Sequence, residues 1–259
     1  MSCLNTSKYQ LVSKMKVMLS DKAIDLQDIS PIVILLIGLF VTGIALLESW
    51  KGWIYAPFPI AHALLALLIP ARCKCLHLGN TWRELRSHIR LLITMVIAAL
   101  LFIGGYVLIY SLFLNGVGKT SDPNWNLLAT YKFLGHLYIN RYNRTTVLLI
   151  GYLLVGIWPM FGEEFFYRGF LFKGLKNHTS TTIAAIISSF LFGLRHSFQL
   201  IYLLPVYPFV SGIAYFVWAA GFGLLWVWTY HRSQSLWPCI VTHSANLLLA
   251  PVIFIILRP

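Results

Sequence analysis

The sequence predicts an all-α protein: a polytopic transmembrane helical bundle of about seven crossings (six to eight), in a single membrane domain. Composition is the first observation, because 58% of the 259 residues are hydrophobic, only 11% are charged, and the mean hydropathy is +0.75. Soluble domains are far more polar. The second observation is a series of apolar runs, each near the roughly 20 residues that a helix needs to cross a bilayer. They span 31–48, 53–70, 91–114, 147–176, 181–199, 204–230 and 235–257.

Two of these runs are also compatible with re-entrant segments. Pro57, Pro59 and His62 interrupt the second run, and a pair of glutamates lies in the fourth. The other five runs carry few or no charges and are predicted to be simple crossings. The remaining histidines of the chain, His62 among them, are predicted to be solvated or interfacial.

The distribution of basic residues predicts the orientation of the chain. A net charge of +12 would also suit a nucleic-acid partner, but Lys and Arg concentrate in the cytoplasmic loops of membrane proteins. With the N-terminus inside, the inside segments hold twice as many of them as the outside segments. We therefore predict an integral membrane protein with a cytoplasmic N-terminus, whose partners include the lipid bilayer and no nucleic acid. It would lie in a bacterial plasma membrane, or in the endoplasmic reticulum of a eukaryote.

The stretch FGEEFFYRGF, residues 161–170, carries the only acidic residues after Asp122. A carboxylate in hydrocarbon costs a few kcal/mol, so an intramembrane pair indicates a function. On an α-helix Glu164 and Arg168 share a face and can neutralise each other, whereas Glu163 points about 100° away. A buried ion-pair network that only fixes helix packing would explain Glu164 and Arg168. It would leave Glu163 unexplained.

Two later apolar runs each contain a polar group of interest. His196 stands one helical turn after Phe192, and His243 shares a helix face with Asn246. Taken singly, an intramembrane His is usually a packed, hydrogen-bonded group, and an Asn usually joins helices. Together with Glu163 they form a set of carboxylate, imidazole and amide groups on three predicted spans. Such a set can activate a water, hold an oxyanion and, in a zinc-dependent enzyme, ligate the metal.

Three short motifs resemble those of a known family. EEFFYR (163–168) matches EExxxR, FGLRH (192–196) matches FxxxH, and HSAN (243–246) approximates the third, His/Asn motif of the CPBP family. This family comprises the CAAX prenyl proteases and bacteriocin-processing enzymes and is also called the ABI family. The resemblance covers roughly residues 147–250. One departure is that the family's Asn or Asp usually follows its His at i+4, where this chain has Leu247, with Asn246 at i+3.

The resemblance implies a CAAX prenyl endopeptidase-like intramembrane protease, whose substrate is a protein or peptide at the membrane, prenylated in the CAAX-processing members. Peptide hydrolysis needs a base, an oxyanion donor and an acid for the leaving amine. We assign Glu163 as the base and His196 and His243 as water-positioning and polarising groups. Asn246 would donate to the oxyanion, and Arg168 would orient Glu164.

Cofactor use is left open by the family, whose members have been discussed both as metalloproteases and as metal-free, glutamate-dependent enzymes. In the zinc-dependent alternative, Glu163, His196 and His243 would be the ligands, with an open position for water. The sequence has no HExxH pair of histidines with an intervening base. We favour the glutamate-dependent mechanism without a metal.

The chain divides into three predicted segments. Residues 1–30 form a cytoplasmic N-terminal segment, 31–146 hold N-terminal transmembrane helices and loops, and 147–259 form a CPBP-like catalytic membrane core. The glutamates and histidines converge only if the run 147–176 is a tilted or broken crossing, for which Pro159 and Gly162 are the expected break points.

Two other classes of function remain as alternatives. The first is a non-catalytic membrane scaffold or immunity protein that keeps the motifs for packing, and only an activity assay separates it from a protease. The second is a proton-coupled transporter, because intramembrane Glu and His can relay protons. A transporter predicts acidic groups along a pathway through both leaflets and usually a repeated half, whereas here the acids of the C-terminal half occur at one place and no repeat is visible.

Overall fold

The structure is a computed structural model that describes residues 24–51, 57–73, 75, 86–101, 104, 158–203 and 208–244. All regular elements in these ranges are helices, and none of the described residues lies in a strand, which confirms the predicted all-α class. One helical segment among them, Gly212–Ser233, is long and apolar enough to cross a membrane, and three shorter helices are apolar. The count of seven crossings therefore stays a prediction.

Seven helices are used to describe the site. Three of them begin at a proline, a residue that suits the first helical turn, where no partner for its missing N–H is needed. Ser180 precedes another and accepts the backbone N–H of Ile183 at 3.2 Å, as an N-cap does. The helices are α1 (Pro31–Lys51), α2 (Pro57–Arg72), α3 (Ile89–Leu101), α4 (Trp158–Glu163, Glu164–Phe172 and Lys173–Lys176 in continuous succession), α5 (Thr181–Leu203), α6 (Pro208–Ser233) and α7 (residues 237–244).

The middle of α4, Glu164–Phe172, is a π-helix of nine residues, all of them buried. π-helical hydrogen bonding is rare, usually lasts a single turn, and frequently occurs at functional sites. The sequence predicted a tilted or broken crossing here, with Pro159 and Gly162 as the expected break points. Instead the chain stays helical from Trp158 onward and changes its hydrogen-bond register directly after Glu163. The earlier part of the predicted crossing, 147–157, lies outside the described residues.

Helix α4 lies in the interior of the bundle, and α1 and α2 pack against it. The Thr42 hydroxyl of α1 hydrogen-bonds the Tyr167 hydroxyl of α4 at 3.3 Å, and Ser188 of α5 donates to the Tyr167 carbonyl at 2.7 Å. His62 of α2 is only 3% exposed, so the prediction that it is solvated or interfacial is wrong. The packing of α2 against α4 explains its burial, because that contact covers the inner face of α2.

Helices α5 and α6 cross at very short distance because small residues face each other there. A Cβ atom placed on Gly193 would lie 2.8 Å from the Phe216 carbonyl oxygen and 2.8 Å from the Ala220 Cβ. A Cβ atom on Gly223 would lie 3.0 Å from the Ser189 Cα. Close approach through small residues is the usual way in which membrane helices pack. This crossing sets the distance of the FxxxH motif on α5 from the aromatic side chains of α6.

We expect Gly193→Ala to destabilise the protein by about 1–3 kcal/mol, the usual cost of overpacking, because the new methyl group meets backbone that cannot rotate away. Gly43→Ala is the matched control, since a Cβ atom there meets nothing within 4 Å. It should be neutral or slightly stabilising, because Ala favours helix over Gly. Membrane abundance and thermal unfolding in detergent measure both. Equal behaviour of the two variants would contradict the close crossing.

Candidate active site

Glu164 is the first residue of the π-helix, and its side chain is completely buried. Its Oε1 atom lies 3.2 Å from Arg168 Nη1 and 2.9 Å from His243 Nδ1. The Glu164–Arg168 pair expected from the i, i+4 spacing is therefore present. Because a carboxylate can only accept, His243 donates its Nδ1 proton in this hydrogen bond. A single carboxylate oxygen thus holds both a guanidinium and an imidazole.

Arg168 is fully buried, and its charge faces protein groups on three helices. Besides Glu164, its guanidinium approaches the Gly223 carbonyl at 3.5 Å. It also lies over the rings of Phe192, 4.4 Å from the centroid, and Trp226, 5.1 Å from the centroid. Cation–π contacts of this kind are strongest in desolvated sites. Arg168 therefore ties α4 to both α5 and α6.

Glu163, the last residue before the π-helix, is 3% exposed and faces α5. Its Oε1 atom contacts Arg195 Nη1, and its Oε2 atom lies 3.9 Å from His196 Nε2. Within the described part of the chain, this Oε2 atom has no hydrogen-bond partner. The sequence analysis left Glu163 without a counter-charge and so missed Arg195. A count of acidic groups against arginines would have indicated it. The apolar runs 147–176 and 181–199 together contain two glutamates and two arginines, so each glutamate can have its own arginine.

The ring orientation of His196 follows from its hydrogen bond to its own helix. Nδ1 lies 2.8 Å from the Phe192 carbonyl, which can only accept, so Nδ1 carries a proton. In the neutral ring, Nε2 is then an acceptor, and it is directed at Glu163 Oε2. The Phe and His of the FxxxH motif are thus coupled through the backbone as well as through ring contact at 4.4 Å.

His243 does not lie where the sequence analysis expected it. Both histidines were predicted to face Glu163, but His243 contacts Glu164 instead. Neighbouring residues on a helix point in different directions, so the two carboxylates meet different helices: Glu163 meets α5 and Glu164 meets α7. The His243 ring stacks on Trp226, with centroids 4.1 Å apart, and Trp226 donates its indole N–H to Thr242 at 3.1 Å.

The predicted zinc set of Glu163, His196 and His243 is not gathered in this arrangement. Among the described ranges, no three His, Cys, Asp or Glu side chains come together at ligand spacing. Each carboxylate is also paired with an arginine, whose positive charge would oppose a divalent cation. These residues therefore do not fit a zinc ion. Asn246 lies outside the described residues, so its contact with the site stays a prediction.

Comparisons with known proteins bear on the resemblance seen in the motifs. Neither the search of curated proteins nor the search of solved structures found a match. Residues 144–249 match the model of a family described as type II CAAX prenyl endopeptidase Rce1-like. The matched segment contains EEFFYR, FGLRH and HSAN. The resemblance drawn from these motifs is therefore confirmed over residues 144–249, which match the Rce1-like model of the CPBP family.

Proposed function

We propose that this protein is an intramembrane endopeptidase that hydrolyses peptide bonds of membrane-associated or prenylated, CAAX-type proteins with a water activated by Glu163. The family implies the class of reaction, a proteolysis of protein substrates at the membrane. One observation supports the mechanism: two proton acceptors, Glu163 Oε2 and His196 Nε2, face each other at 3.9 Å in a buried site.

These two acceptors are suited to hold a water. They have no proton to share directly when Glu163 is ionised and His196 is neutral. A water molecule that binds to both can donate one hydrogen to each, which turns a lone pair of its oxygen toward the substrate. A general base acts at hydrogen-bond distance from the proton that it removes, directly or through one water. We assign the removal of the proton to Glu163 and the orientation of the water to His196.

The reaction then proceeds by ordinary acid–base steps. Glu163 takes a proton from the water while the water oxygen attacks the scissile carbonyl carbon. The carbonyl oxygen then becomes an oxyanion. Asn246 is proposed to donate to this oxyanion. His243, held by Glu164 and Trp226, is proposed to polarise the same carbonyl, a role that requires a proton on its Nε2 as well as on the Nδ1 that donates to Glu164. Protonated Glu163 returns its proton to the leaving amine as the C–N bond breaks. Arg168 holds the Glu164 carboxylate in place.

The proposed function is tested by co-expression with candidate prenylated substrates and mass spectrometry of their C-termini. The intact protein should shorten a CAAX-ending substrate, and Glu163→Gln should leave it whole. Asp28→Asn, which removes an exposed carboxylate far along the chain from the motifs, is the control and should cleave normally. If no terminus differs between the intact protein and Glu163→Gln, the scaffold or immunity protein becomes the better explanation.

We expect purified enzyme treated with a strong chelator to keep its cleavage activity. The reason is that both intramembrane carboxylates are paired with arginines and His243 faces away from Glu163. The measurement is the cleavage rate before and after chelation, with the metal content of the sample determined in parallel. Complete loss of activity that stoichiometric zinc restores would overturn the metal-free mechanism.

A further inference from the structure

Arg195 is a second buried arginine, and the family motif does not account for it. FxxxH specifies only Phe192 and His196, and Arg195 occupies one of its open positions. The residue is 6% exposed, and its Nη1 atom contacts Glu163 Oε1. Removing an arginine from water is costly unless an anion compensates it, so a buried arginine in contact with a candidate base requires an explanation.

The contact divides the two oxygens of Glu163 between neighbouring residues of α5. Arg195 holds Oε1, and the other oxygen, Oε2, is directed at His196. A carboxylate that can rotate freely would present either oxygen, or its edge, to a bound water. With Oε1 fixed by a guanidinium, only Oε2 is left to take the proton. Arg195 thereby determines which atom of Glu163 acts.

The charge of Arg195 matters as much as its geometry. Burial favours the neutral form of a carboxyl group, and a nearby cation favours the ionised form. A protonated Glu163 could not remove a proton from water. The arginine on α4, Arg168, contacts Glu164 instead. The charged or titratable groups described near Glu163 are Arg195 and His196 on α5, Glu164 and Arg168 on α4, and His243 on α7. Helix α2, which packs against α4, carries the buried His62, and α6 carries Tyr215, whose ring centroid lies 6.0 Å from that of His196.

We propose that Arg195 is a positioning residue for hydrolysis, which keeps Glu163 ionised inside the bundle and turns its Oε2 atom toward His196. This inference rests on the proposed function, in which Glu163 is the base. It extends that function by naming the group that makes an intramembrane glutamate available as a base.

Carbodiimide labelling tests the ionisation of Glu163 without any need for a substrate. A hydrophobic carbodiimide reacts with protonated carboxyl groups, and peptide mass spectrometry reports which glutamate is modified. In the wild-type protein, Glu163 should resist the reagent at pH 7. In Arg195→Gln, the pH midpoint of its labelling should rise by about 1–3 units, the effect of an adjacent opposite charge. Arg195→Lys, which keeps the charge, should stay within about one unit of the wild type.

Two controls accompany the labelling. Arg232→Gln removes an arginine that is exposed at the end of α6 and lies over the Trp228 ring, and it should not move the midpoint of Glu163. The labelling of Glu164 should be unchanged in Arg195→Gln, because Glu164 keeps Arg168 and His243. A shift at both glutamates would indicate general loosening of the bundle and would overturn the assignment to Arg195.

Kinetics on a prenylated CAAX peptide test the role in the reaction. In Arg195→Gln, kcat should fall about tenfold for each pH unit by which the assay lies below the labelling midpoint of Glu163 in that variant, since only the ionised base can act. KM should change little, and alkaline pH should restore part of the rate. A purely structural role would instead lower the amount of folded enzyme without changing the pH profile.

The outcomes separate this inference from the proposed function. Ready labelling of wild-type Glu163 at neutral pH overturns the role of Arg195, and this measurement stands even if Arg195→Gln does not accumulate. An unshifted midpoint in Arg195→Gln also overturns it. If the midpoint shifts as expected but neither wild type nor variant cleaves any peptide, the effect of Arg195 on the ionisation of Glu163 is supported. The proposed protease function then fails.

Discussion

Glu163→Gln should reduce the cleavage rate per folded molecule by at least about 100-fold, the usual contribution of general base catalysis. Glutamine has the same shape as glutamate but cannot take a proton from the water near His196. The measurement is kcat for an internally quenched prenylated peptide with enzyme reconstituted in liposomes. Normal turnover of Glu163→Gln would show that another group is the base.

The membrane abundance of this variant depends on Arg195, which the sequence analysis did not pair with Glu163. In the structure the amide leaves Arg195 without its counter-charge, and breaking a buried pair on one side costs roughly 3–5 kcal/mol. We therefore expect less protein in the membrane, and recovery of part of it in the double variant Glu163→Gln with Arg195→Gln. That double variant should remain inactive, which separates loss of the base from loss of folded protein.

Glu164→Gln should have the largest effect on stability. Its Oε1 atom lies 3.2 Å from Arg168 and 2.9 Å from His243, and neither Glu164 nor Arg168 has any exposed side-chain surface. The one-sided loss of roughly 3–5 kcal/mol is a large part of the 5–15 kcal/mol that stabilises a typical protein. Membrane abundance should fall sharply, and cleavage should fall with it. Adding Arg168→Gln should restore part of the abundance, because it removes the stranded cation.

The pair of glutamate variants also decides how the two carboxylates divide their roles. If Glu164→Gln accumulates normally but is inactive while Glu163→Gln cleaves, the base is Glu164 and the site must be rebuilt around it and His243. If both variants cleave at the wild-type rate, the protease proposal fails. The Gly43→Ala protein, which changes α1 where a Cβ atom meets nothing, is the reference for abundance and activity in this series.

The sequence predicted the parts of the site that depend on spacing within one helix. The all-α class followed from the apolar runs, and the Glu164–Arg168 pair followed from the i, i+4 rule. The contact between Glu163 and His196 was also anticipated, since both were placed within one bundle. These predictions needed only composition, periodicity and motif order.

The rest depends on which helices become neighbours, and spacing does not encode that. Nothing in the order of the motifs indicates that His243 meets Glu164 while Arg195 meets Glu163, because both choices use the same residues on the same spans. The π-helix was missed for a related reason. All nine of its residues are buried, and no local helix breaker such as Pro159 marks the residue at which it begins.

The hydrogen bond between Thr42 and Tyr167 limits how freely this protein can be recombined with its relatives. The segment that matches the family begins at residue 144, so α1 lies outside it, yet α1 touches the helix that carries both glutamates. Cβ atoms on Gly38 and Gly174 would lie 2.8 Å from Leu171 and 2.9 Å from Ile34, so the two helices fit each other closely along their length. A chimera joined at residue 144 would pair this α1 with a foreign α4 and lose that fit. The segment 144–249 therefore depends on α1 for its packing, and a chimera that keeps this segment must also keep α1.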